Sequence, residues 1–345
     1  MELGITTFAE MYPDPVTGET VSPEERLRRV VEEAECAERV GLDVYGVGEH
    51  HRPDFAVSAP AVVLAAIAAR TERIRLTPAV TILSTDDPVR VFQQFATVDL
   101  LSSGRVELLV GRGSFIESYP LFGHDLTDYD ELFAEKLDLL LALRSDEIVR
   151  WSGRFRPSIQ SQGVYPRPVQ DPLPVWVGVG GNPASMVRAG NRGLPVALAI
   201  IGGDPVRFAP LANLHRRALT ESGFDPEAVP LAVHAHGYIA ESADRAADDY
   251  YPGYAAAMNV LGRERGWSPM TRLQFDAMRS PGGSLVLGDP HDVASKMLLW
   301  REALGIERFM LHISVGTLPH EKVLQAIEHL GREVAPRIRH ALRAG

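Results

Sequence analysis

Three features of the sequence predict a (β/α)8 TIM barrel with insertions at its C-terminal mouth. Eight short apolar runs alternate with helical stretches along nearly all of the 345 residues. Most of these runs lack polar alternation, as expected of parallel strands covered on both faces. The glycine fingerprint that opens a doubly wound sheet, the competing architecture, is missing: the first strand runs straight into Thr6-Thr7-Phe8-Ala9-Glu10. No break in composition marks a second domain, so residues 1–345 are read as one barrel domain.

The elements follow in order. Strand one is expected over 3–8. Ser22-Pro23-Glu24-Glu25 then opens a helix over 23–40, with a hydroxyl at the N-cap, proline at the first helical position and acids in the first turn. Gly41 offers the left-handed C-cap before strand two, 44–48, which ends in Glu49-His50-His51-Arg52. A helix over 59–70, strand three over 74–83 and a helix over 89–101 come next. Gly104 caps that helix before strand four, 106–110, which ends in Gly111-Arg112-Gly113-Ser114. A helix over 129–144 leads to the stretch 151–174, too long and proline-rich for a simple connection. Strand five, 175–179, meets Gly180-Gly181-Asn182 and a helix over 183–192, closed by Gly193. Strand six, 196–201, precedes Gly202-Gly203-Asp204 and a helix over 205–222. Strand seven, 231–239, is followed by a helix over 243–265 and a second long stretch, 267–288. A helix over 292–304 with Gly305 behind it, strand eight over 308–313 and a helix over 319–342 complete the series. Both long stretches are read as insertions at the mouth, because long loops in compact domains are usually functional or disordered.

Active sites of such barrels stand where the strands end. The strand-five turn offers glycine backbone that a ligand can approach and a helix N-terminus with free N–H groups, a natural phosphate seat. Ser185 adds a hydroxyl, and Arg112 at the neighbouring strand end adds a bidentate grip. The same glycines also suit a tight turn with no ligand. Glu49, His50 and His51 supply a base, a proton donor and an orienting group near neutral pH. Adjacent residues of a strand face opposite ways, so at most one histidine enters the pocket. The alternative is a histidine simply hydrogen-bonded in the core. No metal is expected, since the HExxH spacing is missing. His234 and His236, two apart, share a face. They either line the pocket or are satisfied inside the barrel; His312 is a further candidate. Trp151 and Trp176 are read as packing residues.

Net charge is −10 with no long basic run, which argues against nucleic acid and anionic membrane as partners. Cys36 is the single cysteine, so neither an internal disulfide nor a cysteine metal cage is possible. With no basic leader after Met1 and no apolar stretch of about 18 residues, a cytoplasmic protein is expected.

Taken in order, these pieces resemble the bacterial luciferase-like family of flavin-dependent monooxygenases and related oxidoreductases. The resemblance is carried by Gly46-Val47-Gly48-Glu49-His50-His51, Leu76-Thr77-Pro78-Ala79-Val80-Thr81-Ile82-Leu83, Pro88-Val89-Arg90, the run from Ala96 to Arg105 and Val110-Gly111-Arg112-Gly113. Pro174-Val175-Trp176-Val177, Leu287-Gly288-Asp289-Pro290 and Leu304-Gly305-Ile306 extend it to the C-terminal part. It implies a barrel that binds reduced FMN or the deazaflavin F420. His50 would match the base near the flavin, and Arg112 the arginine on the cofactor phosphate. Gly180, Gly181 and Ser185 would match the phosphate loop, and Ala79-Val80 a non-prolyl cis peptide under the flavin ring. Gly111 stands where the light-emitting enzymes carry a reactive cysteine, and 267–288 is shorter than their mobile lid, so the resemblance speaks against light emission. The leading expectation is a monooxygenase that takes reduced FMN and O2 to a small organic substrate. The chain shows no second nucleotide fingerprint, so a separate flavin reductase is expected. An F420-dependent hydride-transfer oxidoreductase is the alternative, disfavoured by a lysine count of three. A non-catalytic flavin-binding accessory subunit is the alternative of another class. The helices over 59–70 and 89–101 are more apolar than one barrel face needs, which points to a homodimer through them.

Overall fold

A computed structural model describes residues 1–344. The elements are β1 (Glu2–Thr7), α1 (Pro23–Arg39), β2 (Val44–Val47), α2 (Pro60–Ala68), β3 (Arg75–Pro78), β4 (Thr81–Ile82), α3 (Pro88–Leu101) and β5 (Leu108–Gly111). Next come α4 (Ser118–Leu121), α5 (Tyr129–Ser145), β6 (Ile148–Trp151), β7 (Ile159–Gly163), β8 (Val175–Val179), α6 (Pro183–Gly190), β9 (Val196–Ala199) and α7 (Ala209–Glu221). The last are β10 (Leu231–Ile239), α8 (Ala243–Arg265), α9 (Arg272–Arg279), β11 (Val286–Gly288), α10 (Pro290–Leu304), β12 (Arg308–His312), α11 (His320–His329) and α12 (Ala335–Ala344).

The predicted alternation is present and closes on itself. Parallel pairing runs β12–β1–β2–β3 on one side and β4–β5–β8–β9–β10–β12 on the other. The Leu76–Val106 bridge joins the two ends beside β3 and β5. The core lies between strands and helices: Val30, Leu64, Phe92, Leu140, Met186 and Met297 are all fully buried. Each such side chain contributes roughly 1.5–3 kcal/mol relative to exposure. The caps also act as expected. Ser22 Oγ accepts from Glu25 N, and Gly41, Gly104, Gly193 and Gly305 all have φ between 64 and 86°.

Two predictions need correction. The third strand is not one run over 74–83: it breaks between β3 and β4 at Ala79–Val80, whose peptide bond is cis. The stretch 151–174 is not an insertion at the mouth. It leaves the antiparallel β6–β7 hairpin and lies over the outer face of α3 and α5. There Gln93 Nε2 donates to Tyr165 O at 2.7 Å, and Arg167 sits 4.7 Å over the Phe92 ring while donating to Leu143 O. Gln170 N and Nε2 donate to the carboxylate of buried Asp99. The physical cause is that α3 carries more apolar surface and one more buried acid than the barrel can cover. Only the hairpin turn reaches mouthward, through Arg154 on Asp128 and Arg156 on Asp87. The second stretch does stand at the mouth. It forms α9, which packs Phe275 against Tyr251 of α8, and β11, which pairs with Gly237–Ile239 beyond the end of β12.

This arrangement covers part of the surface expected to dimerise. Part of it stays open: Val62 on α2 is 69% and Leu101, the last residue of α3, 61% exposed. No helix among the described residues is long and apolar enough to cross a membrane.

Candidate active site

A cavity of about 440 Å3 opens at the strand ends and descends into the barrel. Its floor is closed by Arg308, which lies 4.3 Å over the Trp176 ring and pairs with the carboxylates of Glu2 and Glu107. Trp176 therefore does more than fill the core; it forms part of the cavity wall.

One side of the cavity is an anion seat. Arg112 follows β5, and its Nη2 donates to Ser185 Oγ at 2.8 Å while Nη1 pairs with Asp130. The guanidinium lies 4.7 Å over the Tyr129 ring, which fixes its plane. Asn182 caps α6 by accepting from Ala184 N, so the first turn of that helix faces Arg112 with its dipole end. A Cβ built on Gly180 would meet nothing within 4 Å, so the backbone there is open to a ligand; Gly181 has φ 101°. Arg188, one turn beyond Ser185, comes within 3.8 Å of Asp130 and keeps Nη1 buried without a partner among the described residues. The sequence reading missed it, because an arginine on a helix looks like a solvated face. The i, i+3 spacing from Ser185 was the available signal.

Across the cavity, Val80 stands over two glycines. A Cβ on Gly111 or on Gly178 would sit 2.7 Å from a Val80 methyl group. The side chain at 111 therefore has to be absent for Val80 to hold this position, and a cysteine there would displace it. Ala79 and Val80 both line the cavity.

The histidine pair after β2 divides as alternation requires. His50 lines the cavity, stacked 4.2 Å from the Phe55 ring, with its Nδ1 buried and unpartnered. Burial pushes its pKa down to about 3, so the ring is neutral at ordinary pH. His51 is turned away toward Phe122, and its Nε2 lies 3.0 Å from Glu49 Oε1. The other oxygen of Glu49 accepts from Ile82 N at 3.0 Å. Glu49 thus ties the β2 end to β4 and orients His51, not His50. Of the three residues expected to act together, Glu49 and His50 line the cavity and His51 does not.

His234 and His236 also line the cavity, on the wall facing Phe8. Burial holds His234 at about 3 and His236 well below its ordinary value, so both are neutral. The rim is held by Arg52, which pairs with Glu117 and Glu264 at 2.5 Å and stacks 4.5 Å from the Phe115 ring. This latch joins the loops after β2 and β5 to the end of α8, contacts too distant in sequence to read in advance. No cluster of three or more His, Cys, Asp or Glu among the described residues is placed to hold a metal ion.

The chain is similar to proteins of two reaction types. A monooxygenase from Streptomyces bottropensis shares the fold with a TM-score of 0.86 at 22% identity, covering 98% of this chain and 99% of that one. The oxygenating constituent of 3,6-diketocamphane monooxygenase from Pseudomonas putida, solved with FMN, aligns with a TM-score of 0.77 at 18% identity over 98% and 99% of the two chains. An F420-dependent glucose-6-phosphate dehydrogenase from Segniliparus rotundus is 26% identical over 341 residues, 90% of this chain and 94% of that one. The sequence signature described as luciferase-like monooxygenase matches residues 1–308, and the chain belongs to that family.

Proposed function

We propose that the chain is a flavin-dependent oxidoreductase, and specifically a monooxygenase that takes reduced FMN and O2 to a small organic substrate. The observation that carries this reading is the meeting of Arg112 and Ser185 beside the open backbone of Gly180, at the edge of a cavity walled by neutral histidines. The residues fit FMN. Arg112, Ser185, Gly180, Gly181 and the α6 N-terminus would hold the phosphate, and Ala79-Val80 would support the ring. Arg188 has an unpaired N–H to add. When bound, reduced FMN supplies the electrons for O2 activation.

The protein's own part is positioning, water exclusion and proton handling. Phe8, Phe55 and Phe115 surround His50 within 5.4 Å between ring centres, keeping its environment dry. A neutral ring in such a place accepts or returns one proton at Nε2, the ring nitrogen that is not buried. Reduced FMN would come from a separate reductase, and the working form would be a homodimer.

A second reading, F420-dependent hydride transfer, is supported by the F420-dependent relative and by the pairing of two arginines, Arg112 and Arg188, around the single Asp130. A longer acidic tail could use that basic edge. The two readings separate in one experiment. Purified protein is given reduced FMN under labelled O2 with candidate ketones and phenols, and in parallel F420 with candidate alcohols. Label in the organic product supports the monooxygenase. Substrate-dependent F420 reduction without O2 uptake overturns it.

A further inference from the structure

Behind the wall formed by β1 and β12 lies a second, polar cavity of about 60 Å3, bordered by Glu10, Arg26, Glu33, Ser314 and His320. It has room for water, since one molecule needs roughly 10–15 Å3 of such space and polar partners. Glu10 stands between the two cavities. Ala9, with φ 54°, turns the chain after Phe8, so that Phe8 faces the barrel cavity and Glu10 the space behind it. Such a conformation is uncommon for a residue other than glycine.

A chain of side chains crosses the wall. His234 lines the barrel cavity, and its Nε2 lies 3.3 Å from His312 Nδ1 and 2.9 Å from Thr6 Oγ1. His312, fully buried, places its Nε2 2.6 Å from Glu10 Oε1. The other oxygen of Glu10 accepts from Ser314 Oγ at 2.9 Å. Past the second cavity, His320 lies 2.9 Å from Glu32, which is more than half exposed.

We propose that His234, His312 and Glu10 form a proton relay that joins the barrel cavity to the second cavity, so that protons used in the reaction exchange with solvent behind the barrel wall. One outward passage is a balanced set of hops. His234 takes a proton from a group in the cavity at Nδ1 and passes its Nε2 proton to His312 Nδ1. His312 passes its Nε2 proton to Glu10 Oε1, and the Glu10 carboxyl releases a proton to water in the second cavity, returning to carboxylate. Only N–H and O–H bonds form and break, nothing is oxidised, and the reverse sequence carries one proton in and resets the rings. Arg26 and the Glu33 carboxylate give the far cavity its fixed charges. Phe8 packs 4.6 Å from His50 and 4.2 Å from His312, which keeps His50 off this path. The relay rests on the reading that the barrel cavity is the reacting site, but not on which flavin occupies it.

The test uses the full-length protein with 15N-labelled histidine and follows exchange of the His312 ring N–H with water. Glu10→Gln keeps the shape and the contact with Ser314 but cannot take up a proton. Exchange is expected to slow by about a hundredfold, the low end of what one positioned proton-transfer group contributes. Glu10→Asp is expected to recover most of that loss. Exchange in Glu10→Gln as fast as in the parent, or faster, overturns the relay. Loss of rate that Glu10→Asp fails to recover also overturns it, as the mark of a purely structural role. FMN affinity of the parent, measured separately, reports on the site reading alone.

Discussion

Arg112 Nη2 and Ser185 Oγ, 73 residues apart in the chain, meet at 2.8 Å across the mouth between β5 and α6. Arg112 lines the cavity and is anchored independently by Asp130 and the Tyr129 ring, whereas buried Ser185 has Arg112 as its side-chain partner. Their convergence makes sense as two donors to one anion. Arg112→Ala is expected to weaken FMN binding by about 2–3 kcal/mol, the magnitude of lost charge-assisted hydrogen bonds. Arg112→Lys should recover only part, because a point charge lacks the planar fork. Fluorescence titration checks both.

His50→Ala should lower turnover by roughly 10²–10⁴-fold while leaving FMN affinity within a few-fold of the parent. Because burial already holds the ring neutral, with a pKa of about 3, the parent's turnover should show no limb from free His50 between pH 5 and 8. A steady-state pH profile in which the variant keeps full activity would shift attention to His234.

The Arg26–Glu33 pair, buried at 2.7 Å, should set part of the acid stability. Burial pushes the Glu33 carboxyl up, but the Arg26 guanidinium and hydrogen bonds from His320 and Arg26 outweigh this and hold it low. A lowered folded pKa gives stability that is present above the unfolded value and lost as pH falls through the folded one. Arg26→Met should cost about 3–5 kcal/mol at pH 7. It should also reverse the sign: with Glu33 pushed up by burial, the variant gains stability relative to the parent as pH drops from 7 to 5. Urea unfolding across that range measures it.

We propose that the open α2 face pairs with a second copy. Val62 is 69% exposed in the single chain, so Val62→Glu costs nothing in the monomer and buries a charge only in the dimer. Light scattering at micromolar concentration should give twice the chain mass for the parent and the chain mass for the variant. A monomeric parent would remove the proposal.

The barrel and the anion seat were legible because their signals are local. Gly41, Gly193 and Gly305 announce helix ends, and Arg112 and Gly180 stand within two residues of strand ends. Period-two alternation could tell that only one of His50 and His51 enters the cavity, but not which. The Ala79–Val80 break came from resemblance alone, since an apolar run carries no mark of it. Long-range pairs were unreadable: Glu10 and His312 are 302 residues apart, and Arg52 and Glu264 are 212 apart. The course of 151–174 over α3 depended on Asp99 and Phe92 being short of partners, which appears only once the helices are packed.

We propose that this cavity binds FMN by its phosphate. The most direct measurement compares FMN with riboflavin, which differs only in lacking that phosphate, on the parent and on Arg112→Ala. The parent should prefer FMN, and the preference should shrink by about 2–3 kcal/mol in the variant, the share of the Arg112 contact. Equal affinity of the parent for the two flavins, or a preference undiminished in Arg112→Ala, would rule out this phosphate seat.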